Sequence, residues 1–229
     1  FVEAGGYDHS PYWIDAEQAE VWMLKEGRGM VKDFWKNERN RPENYGESLN
    51  LDNHPVVGVT WYEALAYSRW LDEKLHAIAI EMLPQFKIQP PDSVQIEFWQ
   101  GLAVGRLHVR LLSEAEWERA TGNTDSGQYP WKVDYNSKKA NTHDTDTGAT
   151  RAVGCFPSNA SAEGVQDLAG IVWEWTRSLY GPYPYPSYDN PDKLRERENT
   201  TSTAPRVMRG GTFGNLRWNV PSTFRYNDS

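Results

Sequence analysis

Asn141, His143, Asp144 and Asp146 stand together in the turn-rich stretch 121–148. Their amide and carboxylate oxygens, with the Thr142 carbonyl, are the ligand type that a hard divalent cation takes. A polar loop that satisfies its own backbone is an equal reading, because Asn, Asp and Thr side chains bond locally in turns. Glu114, Glu116 and Glu118 have the right chemistry for acid-base or metal work, but alternate positions on a helix do not converge on one point. Solvated first-turn charges, favoured by the helix dipole, are their expected role. Cys155 is the single cysteine, which excludes a disulfide within the chain. It reads as a small buried residue rather than a nucleophile. His9, His54, His76, His108 and His143 are scattered.

The elements that must position such groups start at two capping boxes. Thr60-Trp61-Tyr62-Glu63 and Ser113-Glu114-Ala115-Glu116 each place a hydroxyl and a glutamate where they answer the free N–H groups of a helix start. After the first, Trp61, Ala64, Leu65, Ser68, Leu71 and Leu75 trace one buried face. Ala16, Ala19, Trp22 and Met23 predict a helix over Asp15 to Lys25, with the rest of 1–53 as ordered loop. Ala77 to Leu83 continues helically, Pro90-Pro91 breaks the pattern, and Val94 to Val104 predicts a further helix. Val172, Trp173 and Trp175 around Glu174 predict a short strand about which the core is built. Arg206 to Arg209 reads as extended, and Gly210-Gly211 then permits a bend or close approach. Tyr180 to Tyr188 and Lys193 to Thr203 read as surface loops.

The chain has 229 residues, enough for one good core, with 11 Trp and 12 Tyr. A net charge of -8 argues against nucleic acid or an anionic membrane as partner, since both demand a basic face. No long apolar run or signal peptide is visible, and with a single cysteine this points to a reducing, cytoplasmic setting.

Several motifs carry a family resemblance. Asp167-Leu168-Ala169-Gly170-Ile171-Val172-Trp173-Glu174-Trp175-Thr176 and Arg206-Val207-Met208-Arg209-Gly210-Gly211-Thr212-Phe213 resemble signatures of the formylglycine-generating enzyme (sulfatase-modifying factor) family. His54 to Ala64, Leu112 to Ala120 and Tyr129-Pro130-Trp131 are similar to further family motifs, in the family's order. The resemblance covers 1–229 and implies a single α+β domain of the C-type-lectin-like kind: two main helices, short twisted antiparallel strands and much irregular loop. It implies that the family's first strand and closing C-terminal strand are missing and that 74–109 is a subfamily insertion. It also implies a structural calcium through Asn141, Thr142 and Asp144 or Asp146. A second family calcium site uses an Asn where this chain has Ile171, so that site is not expected. Enzymatic members hold copper on two cysteines, whose positions fall near Asn215 and Val220 here, so copper is not expected. Related sulfoxide synthases need a His-x-x-x-His-x-Glu iron site, and that spacing does not occur.

From Thr212 onward the chain mixes bulky aromatics, amides and small residues without helix or strand periodicity, a composition suited to a binding loop. The segment 212–229 resembles the variable region of proteins diversified by retroelements, in which adenine-directed mutagenesis changes asparagine codons. Gly214, Asn215, Leu216, Asn219, Phe224, Tyr226 and Asp228 are reachable products of such codons, and Trp218 stands among them. The expectation is a noncatalytic protein that binds a protein or peptide with these side chains exposed on one face. An accessory or signalling module and an oxidoreductase of atypical chemistry are the competing readings.

Overall fold

The computed structural model describes residues 1–33, 35–87, 92–122, 128–187 and 189–228. Helix α1 (Ile14–Gln18) leads into an antiparallel sheet of β1 (Trp22–Lys25), β2 (Arg28–Lys32) and β3 (Glu38–Arg39). The helix expected over Asp15 to Lys25 is therefore corrected, and so is the loop expected around it. Glu20 adopts φ +58 and turns the chain out of the helix. Trp22 then pairs with Val31 and is buried against Trp13, whose ring stacks on it at 5.9 Å. The spacing of Ala16, Ala19, Trp22 and Met23 serves a short helix and a strand equally well, and tertiary packing decides.

Both capping boxes form. Thr60 N donates to Glu63 Oε2 at 2.7 Å and Glu63 N to Thr60 Oγ1 at 3.2 Å, opening α2 (Trp61–Met82). Helix α3 (Ser93–Ala103) packs back on α2, where His76 Nδ1 lies 2.7 Å from Leu102 O and the Asp72 carboxylate accepts from Val109 N at 2.6 Å. The break expected at Pro90-Pro91 lies outside the described residues. Ser113 N and Glu116 Oε2, 2.7 Å apart, close the second box and open α4 (Glu114–Ala120).

A second antiparallel sheet runs in the order β4 (Glu174–Leu179), β5 (Arg206–Arg209) and β6 (Tyr226–Asp228), with α5 (Pro191–Arg197) between β4 and β5. The surface loop expected over Lys193 to Thr203 is thus corrected at its start: Asn190 caps α5, and Arg197 is buried. The tail also departs from expectation. Tyr226 pairs with Met208 and Asp228 with Arg206, so a closing strand is present where none was expected.

Nor is the core centred on the Trp173 and Trp175 strand, whose indoles are only half-buried. One apolar cluster gathers Tyr7, Tyr12, Trp13, Trp22, Val31 and Ala66. The other gathers Tyr129, Trp131, Ala140, Ala169 and Val220, so the tail supplies a core residue of its own. No helix among the described residues is long and apolar enough to cross a membrane.

Candidate ligand-binding surface

The tail after β5 is fastened mainly through its backbone. Gly210 and Gly211 have φ +89 and +78, and a Cβ on Gly211 would stand 2.5 Å from Val220 Cγ1. Only glycine allows this approach without strain. Phe213 N donates to Ile171 O at 3.1 Å and His143 N to Asn215 O at 2.9 Å. Arg217 N donates to Asp144 Oδ2 at 3.0 Å, and Tyr129 Oη donates to Arg217 O at 3.0 Å. Ser222 N reaches Gln128 O at 2.7 Å, while Arg209 Nη1 donates to Ser222 O at 2.8 Å and Phe224 O at 3.0 Å.

Two tail side chains are exceptions that pin the segment. Val220 is fully buried. Arg225 turns inward and donates from Nε and Nη2 to the Glu114 carboxylate at 2.5 and 2.9 Å. Glu114 also faces Arg197 at 3.3 Å and Arg209 at 3.2 Å and is itself fully buried. The solvated role expected for Glu114 is therefore corrected: three arginines from distant parts of the chain surround it. Arg209 Nη2 additionally meets Glu118 and the Tyr183 hydroxyl. Tyr180 and Tyr183 flank the Arg225 guanidinium at 4.7 and 4.5 Å.

The other tail positions are exposed or half-buried. Gly214, Trp218, Tyr226 and Asp228 are exposed, and Asn215, Leu216, Asn219 and Phe224 are half-buried. They do not gather at a single hollow. Phe224, just before β6, and Tyr226, its first residue, stack on Trp173 at 5.9 and 5.4 Å. Asp228 lines a hollow of about 470 Å³ with Trp173, Trp175 and Phe213. Trp218 lines another, of about 450 Å³, with Tyr129, Tyr135 and Arg217. Asn215 has a local role as well, since its Oδ1 accepts from Thr212 N at 2.8 Å.

The oxygen set expected to hold calcium is engaged with protein donors. Asn141 Oδ1 accepts from the hydroxyls of Thr145 at 2.9 Å and Thr147 at 2.5 Å, and Asn141 Nδ2 donates to Ala149 O at 2.8 Å. Thr142 O lies 2.6 Å from the same Thr145 hydroxyl and shares its single proton with Asn141 Oδ1. Asp144 holds the tail through Arg217 N, and Asp146 is an exposed left-handed cap. As arranged here, the residues do not fit a calcium ion. Ile171, where the second calcium asparagine of the family would stand, is buried with φ +65, a backbone that asparagine tolerates better than a β-branched residue.

Two further residues differ from the sequence reading. Cys155 is exposed, not buried. Glu174, which the sequence reading did not single out, accepts from Trp117 Nε1 at 2.6 Å, and burial raises its carboxyl to about pH 7 despite that bond. A glutamate between two tryptophans of a strand was the available signal.

The chain matches the sulfatase-modifying factor enzyme 1-like domain over residues 1–229. Hercynine oxygenase of Mycolicibacterium smegmatis is 28% identical over 93% of this chain and 42% of that protein. The formylglycine-generating enzyme of Thermomonospora curvata is 28% identical over 86% of this chain and 54% of that protein. The chain thus spans about half or less of these relatives' length. Among solved structures, Treponema denticola variable protein 1 superposes with a TM-score of 0.53 at 20% identity, covering 82% of this chain and 72% of that one.

Proposed function

The chain belongs to the sulfatase-modifying factor enzyme 1-like domain family, and we propose that it is a noncatalytic member that binds a protein or peptide through its exchangeable tail. The α+β, C-type-lectin-like fold is the scaffold. The observation that carries this reading is the division of labour in the tail. Backbone atoms and the side chains of Val220, Arg225 and Asn215 hold it, while Trp218 and Tyr226 are exposed and Phe224 and Tyr226 stack on Trp173. Such a surface accepts new side chains without refolding, which is what a diversified binder requires. Large amphipathic aromatics provide contact area at low entropic cost.

Both curated relatives described above are named as enzymes, so an oxidase is the competing reading. The family's copper thiolates would fall near Asn215 and Val220, and neither residue supplies a thiolate. Incubation with copper, oxygen and a Cys-x-Pro-x-Arg peptide is expected to leave the peptide cysteine unchanged, and formylglycine formation would reinstate the enzyme reading. Sequencing the adjoining DNA tests the binder directly. A near-repeat of the tail's coding sequence, differing mainly at adenines beside a reverse transcriptase gene, is the expected result. A tail with no such repeat would favour a fixed accessory module.

A further inference from the structure

The hollow of about 450 Å³ beside Trp218 combines three aromatic side chains with groups of both charges. Gln128, Tyr129, Asp134, Tyr135, Arg217 and Trp218 line it. Trp218 is 58% exposed, so much of its indole is open to a ligand. The tyrosine hydroxyls are already engaged, Tyr129 Oη with Arg217 O at 3.0 Å and Tyr135 Oη with Thr142 Oγ1 at 2.6 Å. What these two residues offer is ring surface held in place. Arg217 and Asp134 are bonded only through their backbones: Arg217 N donates to Asp144 Oδ2, and Asp134 O accepts from Trp131 Nε1 at 3.1 Å. Their guanidinium and carboxylate form no hydrogen bond or ion pair with each other or with another described residue. The Asp144 carboxylate does not line the hollow and is taken up by Arg217 N.

A cation and an anion in one hollow select against a ligand group of either net charge, because one of the two repels it. They favour a neutral group that both accepts and donates hydrogen bonds, since bonds to an ionised partner are stronger than bonds between neutral groups. The aromatic walls add a need for a flat apolar face beside those polar atoms. An amide or a single hydroxyl is too small to meet the rings and both charged groups at once in a hollow of about 450 Å³. A six-membered sugar ring meets all three conditions. Its polarised C–H groups lie against the negative face of an aromatic ring, and its rim of hydroxyls donates to a carboxylate and accepts from a guanidinium. We propose that this hollow binds a neutral pyranose, stacked on Trp218 with hydroxyls on Arg217 and Asp134. The sugar is either free or part of a glycan on a larger ligand. This goes beyond protein or peptide binding and does not need the tail to be exchangeable.

NMR titration of the intact chain with the methyl pyranosides of glucose, galactose, mannose and N-acetylglucosamine tests the assignment. At least one should give saturable shifts of the Trp218 indole and Tyr135 ring. Cyclohexylmethanol, a ring of similar size without the rim of hydroxyls, should leave them unmoved. The uronate and amino-sugar counterparts of the sugar that binds should each be weaker by about threefold or more. Arg217→Gln and Asp134→Asn, both at exposed positions, should each weaken the neutral sugar by about threefold or more, and Trp218→Ser should abolish the Tyr135 shifts. Asp134→Asn should also remove the discrimination against the uronate, and Arg217→Gln that against the amino sugar, which a loss of folding would not do. A glycopeptide carrying the same sugar separates the sources: tighter binding than the methyl glycoside assigns a glycan on a larger ligand, and equal binding a free sugar. No saturable shift with any of the four glycosides, equal shifts with cyclohexylmethanol, preference for a charged counterpart, or full binding by both charge variants would overturn the proposal. Tolerance of tail exchange is measured separately and stands or falls on its own.

Discussion

Arg209 donates from Nη1 to the carbonyl oxygen of Phe224 at 3.0 Å, so the buried cation grips the tail by a backbone atom that every residue type possesses. The Phe224 ring is left to stack on Trp173 outside. The first prediction follows from this separation of backbone and side chain. Trp218→Ser and Tyr226→Ser should each change unfolding free energy by about 0.5 kcal/mol or little more, as exposed substitutions do. Val220→Ala, which removes two methyl groups from a closed site beside Gly211, should cost about 1–3 kcal/mol. Equal losses at all three positions in urea denaturation would show that the outward side chains are structural.

Glu114 is expected to be the most sensitive carboxylate. Glu114→Ala leaves Arg197, Arg209 and Arg225 facing one another without their shared counter-ion, and should cost about 3–5 kcal/mol. Because Arg225 then loses its anchor, the register of Phe224, Tyr226 and Asp228 should loosen too. Hydrogen exchange reports this as faster exchange of the β6 amides. Unchanged β6 protection in a folded Glu114→Ala variant would sever the link between cluster and tail.

A carboxyl raised from 4.5 to about 7 binds more protons in the folded than in the unfolded chain between those values. The contribution of Glu174 is therefore complete below about pH 4.5, declines as pH rises, and is gone once pH passes about 7. Glu174→Gln should flatten the melting temperature against pH across this window and raise it relative to the native chain at pH 8. A variant with the same pH profile as the native chain would place the titration elsewhere.

Calcium bound by Asn141, the Thr142 carbonyl and Asp144 or Asp146 is a separate proposal, and the hydrogen bonds to Asn141 oppose it. With its amide already paired to Thr145, Thr147 and Ala149, chelation should leave the melting temperature unchanged. Asn141→Ala should be destabilising by about 1–3 kcal/mol whether or not calcium is present. A chelator-induced fall, reversed by calcium, would mean that these donors rearrange around the ion.

The sequence shows these features unevenly, for physical reasons. Thr60 with Glu63 and Ser113 with Glu116 are local pairs, so both helix starts are legible. The short helix ending at Gln18 is not, because Trp22 leaves the helix only to meet Trp13 and Val31, and contacts of that sort do not show in periodicity. Glu114 reads as a solvated helix residue until Arg197, Arg209 and Arg225 are brought to it from far along the chain. In the tail, composition marks the outward aromatics, but alternation around Arg225 is too short to show as a strand. Asp144 illustrates the limit: its type suggests a metal ligand, whereas its position makes it the partner of Arg217 N.

The central claim is that the scaffold holds the tail while indifferent to most of its side chains. The most direct measurement is a display library in which Leu216, Trp218, Asn219, Phe224, Tyr226 and Asp228 are randomised together with Val220 and Arg225 kept, sorted first for folded protein and then for binding to an arbitrary protein such as lysozyme. The account predicts that most members remain folded and that specific binders are enriched, whereas a matched library randomising Val220, Arg225 and Gly211 is largely unfolded. Comparable loss of folding in both libraries would contradict it.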